Sequence, residues 1–182
     1  MSLTNTPTRY GSLSIALHWL MLVLLAAVYA CIELRGLFPK DSVGRAQIKD
    51  LHFMLGLSVF LLVWLRLLLT VISPTPRIVP SPPRWQLGLA TLMHWALYLF
   101  MIGMPIAGWL ILSAADKPIP FFGLELPALI GPDKAQAKFI EGWHERIGTL
   151  GYWLIGLHAL AGLYHHYVVR DNTLVRMLPG GD

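Results

Sequence analysis

Four stretches of almost unbroken apolar sequence, near residues 13–34, 51–72, 88–113 and 142–169, constrain this chain more than any other feature. Each is long enough to cross a hydrocarbon core of about 30 Å, which takes about 20 helical residues. A backbone inside that core has no water to bond, so its amides and carbonyls must satisfy one another, and runs of this kind become helices. With 55% of its residues hydrophobic and 13% charged, the chain is too apolar for an ordinary water-soluble domain. Seven tryptophans fit the same picture, since indoles favour the membrane interface.

The connections support a bundle. Ser73-Pro74-Thr75-Pro76 and Pro80-Ser81-Pro82-Pro83 lack amide donors and restrict φ, so no helix continues from the second stretch into the third. The segment from about Ala114 to Glu141 holds Pro118, Pro120, Pro127 and Pro132 and is expected on the surface with little regular structure. What remains is too short for a soluble domain. The expectation is one domain over 1–182, an all-α membrane protein built as an antiparallel four-helix transmembrane bundle. The polar stretch Met1–Tyr10 has no small-residue cleavage site, so the first apolar run reads as a retained helix. A net charge of +4 without a basic run argues against nucleic acid as a partner.

Histidines inside these stretches carry the chemistry. His18 lies near the start of the first helix. His52 lies near the start of the second, and His144 opens the fourth on that same side. His158 follows His144 by 14 residues, about 21 Å along a helix axis and about 40° away in rotation. One face of the last helix therefore offers two imidazoles at two depths, and each depth has a histidine from another helix to meet it. The pairs this predicts are His18 with His158 and His52 with His144.

An imidazole in hydrocarbon is costly and marks a functional site. Interhelical hydrogen bonding accounts for one such residue more easily than for four in depth-matched pairs. Neutral imidazole ligates haem iron, and two of them fill both axial positions. That leaves no open site for oxygen, so electron transfer is the role expected of two haems held this way. The single cysteine, Cys31, excludes Cys-x-x-Cys-His attachment, so the haems would be b-type. Zinc fits poorly, because nothing suggests three or four ligands at one depth.

Other residues join this site in the reading. Gly56, Gly148 and Gly162 each lie four residues after a paired histidine, where a missing side chain leaves room for a flat macrocycle; close helix packing uses the same residues. Arg66, 14 residues after His52 in an apolar run, calls for an anion and is assigned to a haem propionate; snorkelling to the interface is the alternative. His94 could compete with His18 for His158, and His165 and His166 near the end of the last helix could meet a propionate or a quinone.

Orientation is not legible from charge. Arg9, Arg66, Arg77, Arg84, Arg170 and Arg176 lie on the side of the termini. Arg35, Lys40, Arg45, Lys49, Lys117, Lys134 and Lys138 lie on the other, with Arg146 just inside a span, close to a tie by a rule that counts basic residues.

With these residues in view, the chain resembles the bacterial cytochrome b561 family of small four-helix di-haem membrane cytochromes. The resemblance runs through Ile15-Ala16-Leu17-His18-Trp19, the segment Glu33–Pro39 and Pro74-Thr75-Pro76. It is most specific in Trp143-His144-Glu145, the segment Gly151–Ala159, His165-His166-Tyr167 and Asp171–Leu174. It implies two haem b groups ligated by His18, His52, His144 and His158, and a bacterial inner-membrane location with both termini cytoplasmic. It also reaches members that pass electrons from superoxide to ubiquinone, which implies an oxidoreductase of that type. Under that orientation Arg35, Lys40, Arg45 and Lys49 lie in the first external loop, where they would steer superoxide, an anion, toward the outer haem. Glu33, Asp41 and Asp50 lie among them, so a solvated mixed-charge loop is the competing description. The inner side, near His18, His94, His158 and His165, is the expected place for quinone.

Two other functions fit the same bundle. A membrane cytochrome b subunit would carry electrons from a dehydrogenase or hydrogenase partner to quinone, and a stable complex with a larger subunit would identify it. A haem-free transporter or structural bundle would show no b-type absorption on reduction. Self-association into a homo-oligomer is open in either case.

Overall fold

The computed structural model describes residues 2–180. Its four long helices are α1 (Ser12–Leu34), α2 (Val43–Ile72), α3 (Arg84–Ala114) and α4 (Lys134–Tyr164), each long and apolar enough to cross a membrane. Between α3 and α4 lies a two-stranded antiparallel hairpin, β1 (Pro120–Phe121) and β2 (Leu124–Glu125). The protein is a membrane-spanning helical bundle. Its large apolar side chains are mostly on outward faces, among them Leu61, Leu99, Leu160 and Trp153, as suits a chain solvated by lipid.

The chain divides into two compact units. One comprises Met1–Leu20, Trp64–Phe100 and Leu150–Asp182; the other comprises Met21–Val63 and Met101–Thr149. Every helix passes from one unit into the other, so each unit contains a segment of all four.

Three helices start earlier than hydropathy suggests, and local chemistry explains it. At α2 the Ser42 hydroxyl accepts the Arg45 amide at 3.2 Å, an N-cap that starts the helix at Val43 and not near 51. At α4 the Asp133 carboxylate accepts the amides of Ala135 and Gln136 at 2.9 and 3.0 Å, starting the helix at Lys134 and not near 142. The opening turns of both helices carry Arg45, Lys49, Lys134 and Lys138, which a search for apolar runs excludes although they are helical. The Pro83 carbonyl accepts the amides of Gln86 and Leu87, and α3 starts just after it at Arg84. His52, His94 and His144 therefore sit well inside their helices and do not open them. Inside α3, Pro105 has no amide to donate to the Met101 carbonyl, a gap that membrane helices tolerate better than soluble ones.

The segment after α3 is more ordered than its prolines suggest. The helix ends with Asp116 in the left-handed region (φ 54°), the Lys117 amide on the Leu112 carbonyl and the Asp116 amide on the Ser113 carbonyl, a Schellman stop. Phe122 and Gly123, at φ 46° and 87°, then turn the hairpin. Ile119 is 2% exposed and packs with Leu57 and Leu112, flanked by Phe53, Trp109, Phe121 and Leu126. The Ser113 hydroxyl donates to the Trp109 carbonyl and accepts the Leu129 amide, and the Trp109 indole donates to the Pro127 carbonyl. The prolines prevent helix, but the segment still has an apolar residue to bury and polar groups to satisfy, so it folds against the helices beneath it.

In the unit that holds both termini, the terminal segments and the proline-rich connection are bonded together. Asn5 donates to the Pro74 carbonyl, the Arg77 amide to the Pro7 carbonyl and the Val79 amide to the Asn172 side chain. Arg9 donates to the Leu178 carbonyl and the Trp19 indole to the Met177 carbonyl. At its end α4 widens into a π-helical turn, His165–Val169, closed by Arg170 in the left-handed region (φ 60°).

Candidate functional site

Each unit brings histidine rings from different helices close together. In the unit of the termini, the rings of His18 on α1 and His158 on α4 have centroids 6.2 Å apart. In the other, His52 on α2 and His144 on α4 are 6.4 Å apart. A metal–imidazole bond of about 2 Å, with about 1.1 Å more from nitrogen to ring centre, sets two trans ligands about 6.3 Å apart between centroids. Both separations suit an iron between the rings.

The hydrogen bonds test that fit further. His52 Nδ1 is 3.0 Å from the Val28 carbonyl, which accepts only, so Nδ1 carries the proton and the Nε2 lone pair is left for a metal. Its partner His144 has a buried Nδ1 with no hydrogen bond among the described residues, and its Cε1 lies close to Gly108, where a Cβ would come within 3.7 Å. Two imidazoles are a donor set that fits haem, and at His52 the hydrogen bond also fixes the tautomer that fits.

The His18 pair is arranged differently. Arg66 Nη2 is 3.0 Å from His18 Nδ1, and because a guanidinium only donates, Nδ1 here accepts. A neutral imidazole that accepts at Nδ1 carries its proton on Nε2, so ligation through Nε2 requires Arg66 to let go of the ring. The residues fit haem once Arg66 has another acceptor, and a propionate is one. His94 is also close, with its ring 5.6 Å from that of His158, nearer than the ring of His18. It is exposed, whereas His18 and His158 are half-buried.

The remaining candidates divide. A Cβ on Gly56 or Gly162 would meet nothing within 4 Å, while one on Gly148 would rest 3.6 Å from the Met104 methyl. The Gly148 carbonyl also accepts the Tyr29 hydroxyl at 2.7 Å, a main-chain bond that does not require glycine. Of the basic residues, Arg45 donates to the carbonyls of Arg35 and Phe38, both at 3.1 Å, and so ties down the turn after α1. Arg35 is half-buried. Lys40 is exposed and Lys49 half-buried. His166 stacks edge-on with Tyr167 at 4.7 Å.

His165 has a partner that hydropathy and histidine spacing do not reveal. Its Nδ1 is 2.6 Å from Asp171 Oδ2, and the Asp171 side chain is fully buried. Burial pushes the Asp171 carboxyl up, but hydrogen bonds from His165 and from Thr173 outweigh it and hold the carboxyl below its usual range. The available signal was the scarcity of acids near the termini.

The profile of the family described as prokaryotic cytochrome b561 matches residues 9–180. The chain is 37% identical over 171 residues to "Cytochrome b561 homolog 1" of Escherichia coli (strain K12), covering 94% of this chain and 97% of that protein. It is 39% identical over 171 residues to "Probable superoxide oxidase CybB" of Yersinia pestis, covering 94% and 96%. To "Cytochrome b561 homolog 2" of E. coli K12 it is 34% identical over 179 residues, covering 98% and 95%. With the matching profile spanning nearly the whole chain and these relatives similar along nearly all their length, this multi-pass membrane protein belongs to the prokaryotic cytochrome b561 family of haem b electron carriers.

Proposed function

We propose that this protein oxidises superoxide and reduces ubiquinone, using two b haems held by His18 with His158 and by His52 with His144. The observation that carries this reading is the pair of facing histidines in each unit, at 6.2 and 6.4 Å. Bound haem b supplies a one-electron carrier, and two imidazoles on its iron leave no position for oxygen to coordinate. The chemistry balances as two superoxide anions losing one electron each to become oxygen, and one quinone taking both electrons with two protons to become quinol.

The chain's own residues supply the rest. His52 is held by the Val28 carbonyl in the tautomer that presents Nε2. Arg66, now on His18, would pair with a propionate of a bound haem, which would leave the His18 ring to hold the group and give the guanidinium a charged partner in an apolar segment. Arg35, Lys40 and Lys49 draw an anionic substrate toward the His52 pair. Arg45 contributes its charge but is committed to holding the turn. The membrane is bacterial and inner, with the termini on the cytoplasmic side and the basic loop outside. Support for superoxide comes from this basic loop and from the relative named as a probable superoxide oxidase.

Rapid mixing of the oxidised protein with superoxide tests the reading. Haem absorption bands of the reduced form should appear within the mixing experiment, and added ubiquinone should return them to the oxidised form with quinol as product. Reduction by dithionite without reduction by superoxide would refute superoxide as donor. Reduction that requires a co-purifying dehydrogenase subunit would place the chain among partner-fed cytochromes instead.

A further inference from the structure

After α4 the chain folds back onto the other helices of its unit. The turn Val175–Met177 is fixed there by the Trp19 indole, which donates to the Met177 carbonyl at 2.8 Å, and Trp19 directly follows His18 on α1. Within that turn Arg176 is half-buried. Its Nη1 donates to the Pro76 carbonyl, and its guanidinium carbon lies 5.3 Å from the centre of the Tyr10 ring. Its Nε is buried and has no hydrogen-bond partner among the described residues. Tyr10 precedes α1 and Pro76 follows α2, so Arg176 sits where the spans end.

Neither partner carries a charge. A guanidinium stays protonated in any protein environment, so burial cannot neutralise it as it can a lysine or a histidine. A cation held away from water with a hydrogen bond unmade calls for an anion. The unit has no spare carboxylate among its described residues. Met1–Leu20 and Trp64–Phe100 contain no aspartate or glutamate, and beyond them Asp171 is committed to His165 and to the Thr173 amide. Arg66 is in the same position, bonded to the His18 ring and not to an acid. Two arginines in the unit of the His18 and His158 rings thus lack a carboxylate. A haem b has two, one on each propionate. Their charge keeps them out of hydrocarbon and favours the boundary at which Arg176 lies.

We propose that Arg176 holds one propionate of the haem ligated by His18 and His158, with Arg66 on the other. The inference rests on the two-haem reading above and extends that site to a segment beyond the last span. With Nη1 on Pro76, Nε and Nη2 remain as the edge of the guanidinium that meets a carboxylate with two parallel hydrogen bonds. A positive charge there also favours the reduced iron over the oxidised, which carries one charge more, so Arg176 raises the potential of this haem above what the ligands alone would set.

The experiment reads potentials and hydrogen bonding, not turnover. Purified holoprotein is titrated electrochemically in mildly alkaline buffer, where an ordinary carboxylic acid is ionised, and the haem potentials are read from the absorption bands of the reduced form. Wild type, Arg176→Gln, Arg176→Lys and Arg84→Gln are compared, Arg84 being an exposed arginine of the same unit. Arg176→Gln should lower one potential by at least the equivalent of a tenfold change in the ratio of reduced to oxidised haem, about 59 mV for one electron. The potential that moves should be the one missing from His18→Ala. Arg176→Lys, which keeps the charge and loses the fork, should recover most of the shift, and Arg84→Gln should leave both potentials in place. The resonance Raman band of propionate bending, which responds to hydrogen bonds on the carboxylate, should shift in both Arg176 variants. Unchanged potentials and an unshifted band in an Arg176→Gln protein that retains both haems overturn this assignment alone. Equal shifts in Arg84→Gln would make the effect one of distant charge and overturn it too, as would movement of the other haem's potential. Should Arg176→Gln fail to fold or lose a haem, the Raman band of Arg176→Lys decides, and an unshifted band there refutes the pairing. A wild type in which fewer than two haems titrate overturns the two-haem reading and this inference with it.

Discussion

At the scale of single residues, the four histidines were prominent because spacing alone shows them. Helical periodicity places His144 and His158 on one face, and alternating helices set His52 and His18 opposite them, which is where the structure has them. Contacts that depend on how one helix is rotated against another were not legible. That Arg66 would reach His18 Nδ1, or that the Val28 carbonyl would hold His52, follows from packing and not from period. Asp171 was hidden for a related reason, since its bond to His165 exists only because α4 ends in a π-turn. The close approach of His94 to His158 raises a question that mutation answers. A centroid separation of 5.6 Å is short for two trans ligands, and His94 is exposed, so His18 is the expected ligand. If two haems are bound as proposed, His18→Ala should lower haem content from about two per chain to about one, while His94→Ala keeps both. Haem quantified against protein after denaturation reads this directly, and the reverse pattern would transfer the ligand role to His94.

At the scale of elements, hydropathy identified all four helices but placed the starts of α2 and α4 too late. The reason is that a helix beginning outside the hydrocarbon opens with polar turns, and its start is marked by a cap and not by apolarity. Ser42 and Asp133 were readable as caps, each directly ahead of its helix, and Pro132 before Asp133 strengthened the second. The hairpin was harder to see, because Phe122 in the turn has no preference for positive φ and only Gly123 hinted at it. The Asp133 cap carries a prediction. Its carboxylate satisfies two amides at the start of the helix that holds His144 and His158, so Asp133→Ala should cost about 1 kcal/mol of stability. Asn also caps well, and Asp133→Asn should remain close to wild type. Thermal unfolding in detergent, followed by helical circular dichroism, compares the two, and an alanine variant as stable as the asparagine one would show that the cap contributes nothing there.

At the scale of the whole molecule, the composition already required a membrane, and the four helices make the number of crossings even. An even count puts both termini on one side, whichever side that is. The basic residues do not choose between the two, because six lie with the termini and seven opposite. The difficulty is physical. Orientation is set by positive charge retained in the cytoplasm; under the superoxide reading proposed above, positive charge is needed on the outer loop as well, and the two demands would cancel in the count. The arrangement in which both demands are met has Arg77, Arg84, Arg170 and Arg176 held inside and Arg35, Lys40 and Lys49 presented outside. Reporter fusions separate the possibilities. An alkaline phosphatase domain, active only where disulfides form, should be inactive when attached to either end of the chain and active when inserted after Lys40. A fluorescent protein that matures in the cytoplasm should give the opposite pattern. Activity of the phosphatase at either terminus would reverse the orientation, and with it the side from which superoxide would have to arrive.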